Sequence, residues 1–337
     1  MKIHIASALA LTFATPTVFA HDDHKHDERS WEEPPPGLET IGDSHGEIDV
    51  AANGEIYVSV LGGKKSGIQI YSPNGDYLRN IENAPSDFHG FVIHEKNGTE
   101  FIYGAGLVSQ EIYKLTMEGK VVLKITTDVI PDKFKGPLPK DGKEPQKKTL
   151  KLTAVDVADN GDLYVVDGYG IDFIHRFDKE GTYLESFGGR GAPLKLANCH
   201  KISIDRRFSP ARILACDRQN LRLLHLNLQG ELIGEIITGL KRPSAVSFYG
   251  DYVAVAEING AVSILDKEGN LVKELGTPAI VRAKSLKPNQ VTPENWVPGR
   301  VTTPHGITFD AQGNVFVTEY NIYGRLLKFE TPLKGIN

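Results

Sequence analysis

The sequence carries no surplus of positive charge. Its 337 residues hold 38 Lys and Arg against 43 Asp and Glu, a formal net charge of −5. Without a basic excess, nucleic acid is not an expected partner. Met and Trp occur only twice each beside 34 Gly and 19 Pro, a balance that favours many turns and few long helices. Cysteine also occurs only twice, with no CxxC pair. No stretch approaches the roughly 20 apolar residues that a membrane-spanning helix needs. What remains, 40% hydrophobic and 24% charged residues, is a globular composition that leans toward β structure.

The first twenty residues read as an export address. Lys2 precedes a mostly apolar run from Ile3 to Ala14, and Val18-Phe19-Ala20 ends in a small residue suited to signal peptidase. Cleavage after Ala20 is expected, giving an exported chain, periplasmic or secreted. Residues 21–36 are charged, contain His21, His24 and His26, and end in Pro34-Pro35-Pro36. They are expected to be a disordered tail. Its His can hold Zn or Cu loosely, although a solvated tail is the simpler reading.

From residue 37 onward the chain repeats itself. Turn glycines recur in pairs, Gly54 with Gly75, Gly98 with Gly119, Gly161 with Gly181 and Gly250 with Gly269, each about 20 residues apart. A further unit turns at Ser209-Pro210 and Gly230, and a last one at Gly313. Short β-branched runs alternate around these turns, as in Gly161-Asp162-Leu163-Tyr164-Val165 and Gly313-Asn314-Val315-Phe316-Val317. Six four-stranded antiparallel units predict a single all-β domain over residues 37–337, a six-bladed β-propeller. The last unit lacks a fourth strand, and residues 37–42 are predicted to supply it and close the ring. Residues 127–149 and 277–299 stand outside the repeat as long inter-blade excursions. Trp296 makes the second the better lid candidate.

Three histidines share one place in the repeat. His89, His200 and His305 each stand two residues before the first apolar residue of an alternating strand, in units two, four and six. Inner strands line the channel, and alternate blades of six lie about 120° apart, so three imidazoles converge from three sides. An open His₃ set is the pattern of a catalytic Zn site, with a position left for water or substrate. Thr153 and Ser244 occupy the matching place in units three and five. His45 precedes Ile48 by three residues and is expected to face away.

The repeats resemble NHL-repeat six-bladed propellers. Within that group, Val166-Asp167-Gly168-Tyr169-Gly170, Cys216-Asp217-Arg218-Gln219-Asn220 and Thr303-Pro304-His305-Gly306 resemble the catalytic domain of peptidyl-α-hydroxyglycine α-amidating lyase. The resemblance implies a Zn held by His89, His200 and His305, with Tyr169 and Arg218 as catalytic residues. It implies cleavage of an α-hydroxyglycine-type or related α-hydroxy substrate, a small molecule or peptide bound in the channel; separately, the protein is expected to be a monomer. Gly306 stands where that family carries an acidic residue, which counts against its structural calcium.

Cys199 and Cys216 flank His200 and the Asp217-Arg218 pair. In an oxidising compartment they are candidates for a disulfide, with a Cys ligand to Zn as the alternative. Two other functions remain open on sequence alone. One is a non-catalytic NHL propeller binding a peptide, glycan or protein partner. The other is a gluconolactonase-like hydrolase, which needs an acidic and amide calcium site that the His₃ pattern argues against.

Overall fold

A computed structural model describes residues 29–81, 83–143, 147–278 and 287–336. The predicted signal peptide and the His-bearing part of the tail lie outside the described residues. The described residues form six blade sheets in sequence order. Blade one contains β1 (Ile48–Val50), β2 (Ile56–Val60), β3 (Gly67–Tyr71) and β4 (Tyr77–Asn80). Blade two contains β5 (Phe88–Lys96), β6 (Thr99–Gly106), β7 (Glu111–Thr116) and β8 (Val121–Thr126). Blade three follows with β9 (Ala154–Val157), β10 (Leu163–Val166), β11 (Phe173–Phe177) and β12 (Tyr183–Gly188). Blade four has β13 (Cys199–Asp205), β14 (Arg212–Asp217), β15 (Arg222–Leu226) and β16 (Leu232–Thr238). Blade five has β17 (Pro243–Tyr249), β18 (Tyr252–Glu257), β19 (Ala261–Leu265) and β20 (Leu271–Leu275). A short parallel pair, β21 (Thr277–Pro278) and β22 (Arg300–Val301), leads into blade six, with β23 (Pro304–Phe309), β24 (Val315–Glu319) and β25 (Arg325–Phe329). Every blade is an antiparallel meander in simple order, so the predicted six-bladed propeller is the fold.

The strand period of two explains how one sheet serves two interfaces. Along β10, Leu163 and Val165 pack toward blade two, while Tyr164 and Val166 pack toward blade four. The core is accordingly divided into six apolar clusters, one between each neighbouring pair of blades. The sixth joins Ile48, Val58 and Tyr71 of blade one to Phe316 and Leu326 of blade six and closes the ring.

The closing strand predicted at 37–42 is not present. Gly37 and Gly42 take φ of +78° and +103°, which interrupts an extended run there. The edge of β25 is instead met by residues 30–32. Trp31 N–H donates to the Leu326 carbonyl at 2.9 Å, and the Leu326 N–H donates to Glu32 Oε2 at 2.9 Å. The Trp31 ring meets Phe316 edge-on at 5.0 Å between centroids. Residues 29–36, placed in the tail by their charge, are thus part of the fold, because one aromatic supplies the apolar anchor that the segment otherwise lacks.

Trp296 is packed rather than raised over the channel. Its Nε1–H donates to the Val291 carbonyl at 3.0 Å, and the Arg325 guanidinium lies 5.5 Å from its ring centre. Arg325 in turn donates to the Val297 and Arg300 carbonyls and pairs with buried Glu319 at 3.1 Å. The described part of this excursion is therefore tied to blade six.

Candidate metal centre

The inner strands carry the site because of how they are bulged. In β5 the register slips between Phe88 and Gly90, in β13 between Cys199 and Lys201, and in β23 between Pro304 and Ile307. His89, His200 and His305 sit at these slips. A bulge frees one residue from the ladder and re-aims its side chain, here toward the axis. All three are almost fully buried, at 1%, 3% and 2% exposure.

Each imidazole is oriented by the next blade. His89 Nδ1 donates to the Thr153 carbonyl at 2.8 Å, His200 Nδ1 to the Ser244 carbonyl at 2.7 Å and His305 Nδ1 to the Gly46 carbonyl at 3.2 Å. A carbonyl only accepts, so Nδ1 carries the proton and Nε2 presents a bare lone pair. This is the orientation that ligating histidines adopt. The close approach of neighbouring groups explains the glycine after two of the three His. A Cβ on Gly90 would collide with the Thr153 carbonyl, and one on Gly306 would come within 2.6 Å of Glu47 Oε1.

The three rings converge with centroid separations of 4.8, 4.8 and 4.9 Å. His45 joins them, 4.6 Å from the His305 ring and 4.9 Å from that of His89. The candidate ligand atoms of His45, His89 and His305 lie within 4.8 Å of one another. His45 was expected to face away by a one-residue slip, but it precedes β1 in a loop where strand register does not apply. Its N–H donates to Asp43 Oδ1 at 3.0 Å, and Tyr320 stacks on its ring at 3.9 Å. The dipeptide His-Gly recurs at 45–46, 89–90 and 305–306, a signal that marks His45 with the others.

Tyr169 reaches the same point. Its Oη lies 3.1 Å from His89 Nε2, 2.9 Å from His200 Nε2 and 3.2 Å from His45 Nε2. One phenolic proton cannot satisfy the bare Nε2 of both His89 and His200, and His305 Nε2 is buried with no partner. Converging lone pairs left unsatisfied in a buried site fit a bound cation. A set of neutral imidazole donors suits zinc.

Electrostatics keep these ligands neutral. Burial holds His89, His200 and His305 well below the usual imidazole range, with His45 or Arg218 adding to the effect. Burial and the Arg218 charge take His45 to about 4. Metal binding near neutral pH therefore need not displace protons from these rings. Burial raises the Tyr169 phenol, while the Arg218 guanidinium, 5.2 Å from its ring centre, opposes the rise. Arg218 lies in a 3₁₀ turn at Arg218–Asn220 and donates through Nε to Asn198 Oδ1 at 2.6 Å. One residue beyond His200, Lys201 forms a buried ion pair with Glu47 at 2.5 Å.

The structure thus gathers all five predicted residues, His89, His200, His305, Tyr169 and Arg218, and adds His45 and Tyr320. It does not form the predicted disulfide, since Cys199 and Cys216 are both free and buried. The bulge at His200 sets Cys199 against Asp217 and Cys216 against Lys201, so the two cysteines do not face each other.

No family model matches the chain. Solved structures share its fold at low identity. A streptogramin B lyase superposes with a TM-score of 0.54 at 16% identity, over 89% of this chain and 97% of that one. A catalytically inactive His-to-Ala variant of virginiamycin B lyase from Staphylococcus aureus, crystallised with quinupristin, gives 0.51 at 14%, over 90% and 88%. A protein of unknown function from Bacteroides thetaiotaomicron gives 0.57 at 12%, over 84% and 68%.

Proposed function

We propose that the protein is an exported, zinc-dependent propeller lyase that cleaves an α-hydroxyglycine-type or related α-hydroxy substrate in its channel. The observation that carries this reading is the convergence of the three rings, 4.8–4.9 Å apart, each Nδ1 being fixed by a neighbouring carbonyl, with the His89 and His200 Nε2 atoms meeting Tyr169 Oη and that of His305 left without a partner. His89, His200 and His305 would hold the ion, with His45 beside them. When bound, zinc supplies Lewis-acid polarisation of a substrate oxygen. The lyases among the structural neighbours are compatible with this class of chemistry on this fold.

The protein's own part is proton handling. Tyr169 acts in its ionised form, which Arg218 favours against the larger effect of burial, and its Oη takes the proton of the substrate hydroxyl. The carbon–oxygen double bond forms as the carbon–nitrogen bond breaks, and Tyr169 returns the proton to the departing amide nitrogen. An α-hydroxyglycine unit thereby becomes an amide and glyoxylate, with atoms and charge balanced. Incubation of the zinc-loaded protein with N-benzoyl-α-hydroxyglycine tests the reading. Release of glyoxylate, reduced about 10²-fold or more in Tyr169→Phe, is expected. No release above the spontaneous rate from zinc-loaded wild-type protein would reject it.

A further inference from the structure

One ion pair crosses the channel beside the histidine centre. Lys201 follows His200 on β13 of blade four, and its Nζ donates to Glu47 Oε2 at 2.5 Å. Glu47 stands just before β1 of blade one. Blades one and four face each other in a ring of six, so the pair spans the channel from wall to wall. Ion pairs such as Arg176–Asp162 and Arg222–Asp217 stay within a single blade. Both Lys201 and Glu47 are buried, and the cost of taking two charges out of water offsets much of their attraction. A pair that adds little net stability, yet joins opposite walls, points to geometry as its role.

The geometry it holds is that of the histidines. Glu47 lies two residues after His45 and one after Gly46, whose carbonyl accepts the His305 Nδ1–H at 3.2 Å. Its Oε1 accepts the N–H of Ile307, two residues after His305, at 3.2 Å. A Cβ on Gly306 would meet that same oxygen at 2.6 Å. Through its two carboxylate oxygens Glu47 therefore links the backbone beside His305 to the residue beside His200, and its own backbone carries His45. Bonds between adjoining blades orient each imidazole, but distances across the axis depend on the diameter of the ring. Asp49 and Asp156, which line a cavity of about 270 Å³ with Lys201, already accept the Ile93 and Ile204 N–H groups. The ammonium bonds Glu47 instead, across the axis.

We infer that the Lys201–Glu47 pair is a strut that sets the spacing of the histidine centre, which makes both of them positioning residues for its metal. This rests on the reading of that centre as a metal site, and it adds that ligand spacing is imposed from across the channel as well as from adjoining blades. Residues that place ligands without touching the metal typically change its affinity about 10- to 100-fold.

Zinc affinity, read by competition with a chromogenic chelator, and the visible absorption of bound cobalt(II), which reports coordination geometry, test the strut in the mature chain. His305→Ala gives the background bound by the His-bearing tail. The double variant Lys201→Met with Glu47→Gln removes both charges at nearly constant volume and leaves an amide oxygen to accept the Ile307 N–H. Neutral replacement of a buried pair is tolerated better than loss of one partner, so its metal-free form is expected to melt close to wild type. Its zinc affinity is expected to fall about tenfold or more, with an altered cobalt spectrum. Glu47→Asp keeps both charges, shortens the strut by one methylene, and is expected to weaken zinc binding as well. Arg176→Gln, which breaks a pair within one blade, should leave both metal readouts as in wild type. Wild-type zinc affinity and cobalt spectrum in both strut variants would overturn the strut while the metal reading stands. Wild-type protein that binds neither ion above the background would overturn the metal reading and the strut with it.

Discussion

Each channel histidine works through two nitrogens with separate duties, one fixed by a carbonyl and one presented to the axis. The residues that follow obey the same logic. Gly90 and Gly306 leave room for the neighbouring blade, while the third such position holds Lys201, whose ammonium meets Glu47 at 2.5 Å. Burial of so many ionisable groups makes stability depend on pH in two opposing ways. His45, His89, His94, His175, His200 and His305 all sit below the usual range through burial. The unfolded chain therefore binds more protons, and their contribution, present above about pH 6.5, is lost on acidification. Burial raises Glu32, Asp49 and Asp167 to about 7, 6 and 7. Here the folded chain holds the extra protons, and that contribution is lost as pH rises through those values. The metal-free protein, kept in chelator, is expected to be most stable near pH 6.5. A melting temperature still rising between pH 7 and 9 would contradict this balance.

At the scale of elements, the bulged inner strand is the device that turns a repeat into a site. The three histidines were legible because each precedes the first apolar residue of an alternating strand by the same two residues, and the repeat carries that spacing into space. His45 was not, because it lies in a loop before β1, where alternation says nothing. The cysteine pairing failed for a related reason: a bulge slides the register by one residue and no spacing in the sequence announces it. The edge of β25 gives the element-scale prediction. A chain starting at Gly37 lacks the Trp31 ring contact and the backbone bond to Leu326. It is expected to be about 2–4 kcal/mol less stable than one starting at Arg29. Equal melting temperatures for the two would show that residues 29–36 do not secure blade six.

The whole molecule is built as a unit of two blades used three times. Even blades donate from His89, His200 and His305 to the carbonyls of Thr153, Ser244 and Gly46 on the next odd blade. Odd blades answer, since Asp49, Asp156 and Ser247 accept the N–H groups of Ile93, Ile204 and Phe309 on the next even blade. This alternation fixes three imidazoles about one axis. It also makes the centre depend on the closed ring, because the His305 bond crosses from blade six to blade one. Elemental analysis of a chain beginning at Arg29, free of the His-bearing residues 21–28, tests the central claim most directly when set beside its His305→Ala variant. One zinc per folded wild-type chain, lost in the variant, is the predicted result; no zinc in the folded wild type, or the same zinc in both, would contradict it.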